Sequence, residues 1–341
     1  MTASGPPVEA HKSRLRLICV RAVCVGALVA SAAIGACGGG SSGSVRFISI
    51  GTGGTGGVYY PYGGALARLI SEKLPNVRAT AEATGGAVDN LKLMQLGKVD
   101  LAFTLADTLA EAVSGRGPFQ ESGAIGSIRT LAPLYTNYTH VVVKQGSGIM
   151  RLADLKGRVV STGSPGSGTE VIADRILGEA GVDPRRGITR HSLGASESAG
   201  AIKDGKLDAF FWSGGVPTPA VQELAATPGM TIALVPQDDL LPLLQRDFGK
   251  GLYRLTSIPA ATYRGLAGDV PVIGVTNFLV ASSALDDALI HDIVRLLFDE
   301  KNALVAAHPE ARHLAVPRGE DVSSVPFHAG AVKYYKERGW K

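Results

Sequence analysis

The chain predicts a two-lobed α/β fold, on the strength of one pattern that occurs twice. Thr52-Gly53-Gly54-Thr55-Gly56-Gly57 returns as Thr162-Gly163-Ser164-Pro165-Gly166-Ser167, offset by 110 residues. Gly86-Ala87-Val88-Asp89-Asn90 answers Gly194-Ala195-Ser196-Glu197-Ser198, and Gly97-Lys98-Val99-Asp100-Leu101-Ala102-Phe103 answers Gly205-Lys206-Leu207-Asp208-Ala209-Phe210-Phe211, both offset by 108. Matches in one order at nearly one spacing imply two related α/β lobes, each with glycine-rich turns between strand and helix. The bland alternative is that any two α/β segments share such turns.

In the first lobe, 45–50 reads as a strand, and the glycine turn leads into a helix from near Pro61, a residue suited to the first helical position. Ala65, Leu66, Leu69 and Ile70 give that helix an apolar face, and Leu74-Pro75 stops it. Val77, Ala79, Ala81 and Ala83 alternate as a second strand. A helix through Leu96 ends at Gly97, and 99–103 is the third strand. Strands alternating with helices predict a mostly parallel, helix-covered sheet.

The second lobe follows the same scheme. A strand over 158–161 leads through the turn into a helix whose buried face is Ile172, Ala173, Ile176, Leu177 and Ala180, and Ser167-Gly168-Thr169-Glu170 fits a capping box. Strands follow at 207–211 and 234–235. Val272 to Ala281 then reads as a strand returning to lobe one, followed by a helix with Leu289, Ile293, Val294, Leu296 and Leu297 buried and a last amphipathic helix from Gly330. The resulting boundaries are 45–138 plus 273–341 for lobe one and 139–272 for lobe two, with crossings near 136–141 and 269–275 that would act as a hinge.

An export leader is expected ahead of the lobes. Lys12, Arg14, Arg16 and Arg21 precede an apolar run from Ala22 to Ala36, shorter than the roughly 20 residues of a membrane span and typical of a signal peptide over 1–36. Ile34-Gly35-Ala36-Cys37 resembles a lipobox, so Cys37 is the expected lipidation site, and 37–44 is a Gly/Ser tether of roughly 15 Å reach. An ordinary cleaved signal or an uncleaved anchor is the alternative. All three place the body outside the cytoplasm, in the periplasm or at the cell surface. Cys19, Cys24 and Cys37 are the three cysteines, leaving the body without a disulfide, a thiolate metal site or a thiol nucleophile. With 30 basic and 29 acidic residues after the leader, it has no clustered basic face and no nucleic-acid partner is expected.

In open parallel sheets, ligands bind where strand ends meet helix starts, and helix N-termini favour anions. Two facing lobes would aim several helix starts at one small organic anion, held by backbone N–H and by hydroxyls. The candidate contacts are Thr52, Gly53, Thr55, Gly56, Tyr59, Asn90 and Asp107 from lobe one, and Ser164, Ser167, Gly168, Thr169, Trp212 and Ser213 from lobe two. Tyr59 could pack instead against the other lobe, Asn90 could cap its helix, and Trp212 could belong to the core. Gly51-Thr52-Gly53-Gly54-Thr55-Gly56 also matches a dinucleotide fingerprint, but no acidic residue stands about twenty positions on, and Val58-Tyr59-Tyr60-Pro61 separates the glycines from the helix. Ser167 lacks the first glycine of a nucleophile elbow, and the histidines show no metal spacing. No catalytic residue, cofactor or metal is expected.

Over nearly all of 45–341 the chain resembles the TAXI family, the solute-binding receptors of tripartite ATP-independent periplasmic (TRAP) transporters. Ile48-Ser49-Ile50-Gly51-Thr52-Gly53-Gly54-Thr55-Gly56-Gly57-Val58-Tyr59-Tyr60-Pro61 carries most of the likeness. Leu152-Ala153-Asp154-Leu155-Lys156-Gly157-Arg158-Val159, Ser164-Pro165-Gly166-Ser167-Gly168-Thr169, Pro217-Thr218-Pro219-Ala220 and Gly330-Ala331-Val332-Lys333-Tyr334-Tyr335 add to it. The resemblance implies a type II periplasmic-binding-protein-like fold, capture of a carboxylate or an amino acid such as glutamate, delivery to a TRAP permease, and no enzymatic activity. One departure is that relatives look like Val-Gln-Ser-Asp where this chain has Thr104-Leu105-Ala106-Asp107, which implies a less polar ligand. A receptor that presents its ligand to a membrane sensor, and an exported dinucleotide-dependent oxidoreductase, are the competing readings.

Overall fold

The computed structural model describes residues 44–317 and 323–339; the expected signal peptide, Cys37 and nearly all of the tether lie outside them. The first half opens with β1 (Arg46–Gly51), α1 (Tyr59–Lys73), β2 (Val77–Glu82), α2 (Ala87–Gln95), β3 (Leu101–Leu105) and α3 (Ala106–Ser114). The long strand β4 (Ile128–Lys144) follows. The second half comprises β5 (Val159–Ser161), α4 (Gly168–Glu179), β6 (Thr189–His191), α5 (Ala195–Lys203), β7 (Ala209–Gly214), α6 (Pro219–Ala226), β8 (Ile232–Leu234), α7 (Leu241–Phe248) and β9 (Tyr253–Ile258). β10 (Val270–Ser282), α8 (Asp287–Asp299), α9 (Lys301–Ala307) and α10 (Ala329–Glu337) close the chain. This is the expected α/β class.

The repeated sequence is matched by repeated topology. β1 pairs in parallel with β2 and β3, and β5 pairs in parallel with β6 and β7. The Gly-Lys-x-Asp copies also make the same bonds. Gly97 and Gly205 take positive φ of 67° and 70° to end α2 and α5, where glycine escapes the Cβ penalty. Lys98 and Lys206 each donate a backbone N–H at 2.8 Å to a carbonyl of the helix just ended. The Asp100 carboxylate then accepts from the N–H of Ser49 at 2.9 Å, and that of Asp208 from Val159 at 2.8 Å. Each copy therefore locks its third strand beside its first.

The halves share one sheet, in the order β2-β1-β3-β10-β4-β7-β5-β6, with β8 and β9 added on β4 and β10. β4 pairs with β10 over 128–138 and with β7 over 138–143, while β10 pairs with β9 over 270–275 and with β3 over 277–281. Both strands therefore change neighbours near residues 138 and 276.

Burial sorts the helices. α1, α8 and α10 cover one face of the first half through Leu66, Ile70, Ile293, Leu297 and Tyr335. α5 and α6 cover the second through Ile202, Val221 and Leu224. A third cluster joins Leu91 of α2 and Leu109 of α3 to Ile172 and Ile176 of α4 and Leu244 of α7, so it draws on both halves. Full burial of one Leu or Ile side chain is worth roughly 1.5–3 kcal/mol, so these clusters dominate the stability of the fold.

Candidate functional site

A cavity of about 550 Å3 lies where the starts of α1, α2, α4 and α5 converge, lined by residues of both halves. The first-turn N–H groups of a helix have no intrahelical acceptor. Tyr59, Ala87, Gly168 and Ala195, the first residues of these four helices, all line the cavity. Among the lining residues Glu197 is the sole Asp or Glu, and none is Lys, Arg or His. The site thus offers partial positive charge from helix ends without a formal cation.

Close approach across the cavity depends on absent side chains. A Cβ on Gly57 would come within 2.8 Å of the Trp212 ring, and one on Gly56 would strike the Ser196 hydroxyl. Trp212 is held by its indole N–H, which donates to Thr218 Oγ1 at 2.9 Å.

The capping turn of α4 is built as its sequence suggests. Ser167 Oγ accepts from the Glu170 N–H at 3.0 Å and donates to the Ser164 carbonyl at 2.6 Å. The Glu170 carboxylate reaches the Gly166 N–H at 3.2 Å rather than the N-cap amide. Thr169 Oγ1 accepts from the Ser213 N–H at 3.1 Å, tying α4 to the end of β7.

Between the helix starts runs a hydrogen-bonded chain. The Tyr59 hydroxyl donates to Asn277 Oδ1. Asn277 Nδ2 donates to Asn137 Oδ1 at 2.5 Å, and Asn137 Nδ2 donates to the Ser213 carbonyl at 3.0 Å. The chain therefore links α1, β10, β4 and β7. Burial pushes the Tyr59 phenol far above its ordinary pKa, so it stays a neutral donor. Tyr135 also lines the cavity, 4% exposed, and its hydroxyl is buried without a partner among the described residues.

Of the sequence candidates, Gly53, Thr55, Gly56, Tyr59, Ser164, Ser167, Gly168, Thr169, Trp212 and Ser213 meet at the cavity. Thr52, Asn90 and Asp107 do not line it, and all three are fully buried. Thr52 donates from Oγ1 to the Glu82 carbonyl at 2.6 Å, closing the end of β2. Asn90 donates from Nδ2 to the carbonyls of Thr52 at 2.7 Å and Phe103 at 2.9 Å, stitching two strand ends. Asp107 bonds Arg175 Nη1 at 2.9 Å and the Tyr253 hydroxyl at 2.9 Å. These three lie outside the lining, and each has a polar group bonded to a partner within the protein. Sequence reading did not name Thr84, Tyr135, Asn137 and Ser196 as contacts, whereas Leu105, noted in the sequence only as an apolar departure, lies in the lining. The Gly194 match could have flagged Ser196, which lies two residues beyond it; Tyr135 and Asn137 sit mid-strand with no local signal.

Among the described residues there is no group of three His, Cys, Asp or Glu side chains able to hold a metal. Nor, among them, is any helix long and apolar enough to cross a membrane.

Among solved structures the chain is similar to the periplasmic aliphatic sulphonate binding protein SsuA from Escherichia coli, at 15% identity and TM-score 0.44, covering 86% of this chain and 84% of that one. It is also similar to a putative L-cystine ABC transporter from Listeria monocytogenes, at 15% identity and TM-score 0.47, covering 80% and 99% respectively. A third likeness is to the alkanesulfonate-binding protein SsuA from Xanthomonas axonopodis pv. citri bound to MOPS, at 17% identity and TM-score 0.40, covering 86% and 91%. In sequence, residues 50–339 match the NMT1-like family. Since that match spans most of the chain, the protein belongs to the NMT1-like family.

Proposed function

We propose that this protein is an extracytoplasmic solute receptor that captures a small organic anion between its halves and delivers it to a TRAP-type permease. The observation that carries the reading is the convergence of four helix starts, two from each half, on one cavity. Cavities of this size bury most of the surface of a small ligand, and helix starts stabilise an anion by backbone N–H groups and dipoles together. The TAXI-like motifs supply the permease class and the preference for organic acids. Cys37 is read as a lipid anchor, and Cys37→Ser should release the protein from membranes.

A thermal-shift screen against organic acids and amino acids tests the receptor reading, since a ligand that binds only the native state raises its apparent stability. No shift with any member, in a protein that melts cooperatively, would sink it. Uptake into vesicles that needs both this protein and a TRAP permease tests the transport step.

A further inference from the structure

We infer that the cavity selects a monocarboxylate with an apolar body, and discriminates against dicarboxylates and phosphate. The inference rests on the receptor reading above and narrows its ligand.

Charge comes first. A helix start carries about half a unit of positive charge, so four starts supply about two units; the acidic Glu197 side chain in the same lining offsets part of that, and the remainder suits a single carboxylate met by several N–H groups. A second carboxylate, or a phosphate dianion, would need another partner. With Glu197 the only Asp or Glu in the lining and no Lys, Arg or His there, that second charge would lose hydration without a paired cation. Such burial is strongly unfavourable.

The rest of the wall is suited to hydrocarbon. Leu105, Val58, Ala87, Pro165 and the Trp212 ring line it. Leu105 ends β3 and leans onto the start of α4, so closely that a Cβ on Gly168 would strike its Cδ1. An apolar ligand body would meet that side chain beside the α4 amides.

One polar group beside the cavity lacks a partner among the described residues. Tyr135 lines the cavity, and its hydroxyl, buried and without a partner among those residues, lacks the hydrogen bond that buried hydroxyls ordinarily make. Burial pushes its phenol well above the ordinary value, so it stays a neutral donor and does not become a competing anion near neutral pH.

Calorimetric titration of the full-length chain in detergent with hexanoate, adipate, L-glutamate and inorganic phosphate tests the inference. Hexanoate and adipate share a six-carbon chain and differ in the second carboxylate. Hexanoate should bind at least tenfold more tightly than adipate or glutamate, phosphate should give no saturable heat, and Tyr135→Phe should weaken hexanoate about fivefold or more with melting unchanged. Adipate, glutamate or phosphate binding within tenfold of hexanoate, or better, overturns the inference and leaves the receptor reading standing. Silence toward all four probes from a cooperatively melting protein overturns the inference; the receptor reading then falls only if the wider acid and amino-acid screen is silent too.

Discussion

The backbone N–H of Asp89, in the first turn of α2, donates to the carbonyl oxygen of Gly166 at 3.0 Å, joining the two halves beside the cavity. Gly166 holds a positive φ of 74°, and a Cβ there would strike the Asp89 carboxylate. Gly166→Ala should therefore cost about 1–2 kcal/mol in denaturant unfolding. Gly53 has ordinary φ, and its nearest neighbour to an added Cβ is Tyr59 at 3.6 Å. Gly53→Ala should keep wild-type stability, so any lost binding in that variant reports on ligand approach. Equal stability for both alanine variants would refute the argument.

Arg175 ties α4 to α3. Its guanidinium pairs with Asp107 at 2.9 Å, contacts Glu111 and the Tyr253 hydroxyl, and lies 4.5 Å from the Phe248 ring centre. Asp107 is fully buried and Arg175 nearly so. Arg175→Met should destabilise by about 3–5 kcal/mol, because it leaves buried carboxylate without its counterion. The double variant with Asp107→Asn should recover part of that loss. Urea titration of the two single variants and the double variant decides it, and strict additivity would count against a coupled pair.

Glu310 gives the stability a pH signature. Its carboxylate accepts from the Val216 N–H at 2.6 Å, and burial raises its pKa from 4.5 to about 7. The folded state therefore holds this proton longer than the unfolded state. The stabilisation is complete below about pH 4.5 and is lost as pH rises to about 7, on the order of 3 kcal/mol in all. His140 acts in the opposite sense. Burial lowers it from 6.5 to about 4, so its contribution is complete above about pH 6.5 and lost as pH falls through 4. Subtracting Glu310→Gln from wild type across pH 4.5–8 isolates the carboxyl, and a flat difference would contradict the assignment.

Two strands passing between halves allow closure about a hinge. The radius of gyration from small-angle scattering should fall when the best-binding acid saturates the protein. An unchanged value would mean rigid halves or a ligand held by one half alone.

Much of this was legible in the chain because glycine and capping residues act locally. The duplicated Thr-Gly turns, the Gly97 and Gly205 helix ends and the Ser167 cap all appear where their sequence spacing puts them. Thr52, Asn90 and Asp107 fall outside the cavity lining, because a polar residue beside a cleft can equally close a strand end or pair with a buried partner. Arg175, 68 residues beyond Asp107, gave no local hint of that pair. Tyr135 and Asn137 were invisible for a related reason, since their place at the cavity arises only when β4 meets both β10 and β7.

The pairing of β3 with β10 joins residues 101–105 to residues 277–281, with the entire second half intervening. A nascent or truncated chain ending before β10 would leave β3 without that neighbour and β4 without its partner over 128–138, two bare hydrogen-bonding rows that invite association with other chains. Completion of the first half therefore waits on the synthesis of β10. A circular permutant that begins in the loop before β10 would supply that strand first, and it should aggregate less during refolding than the natural order.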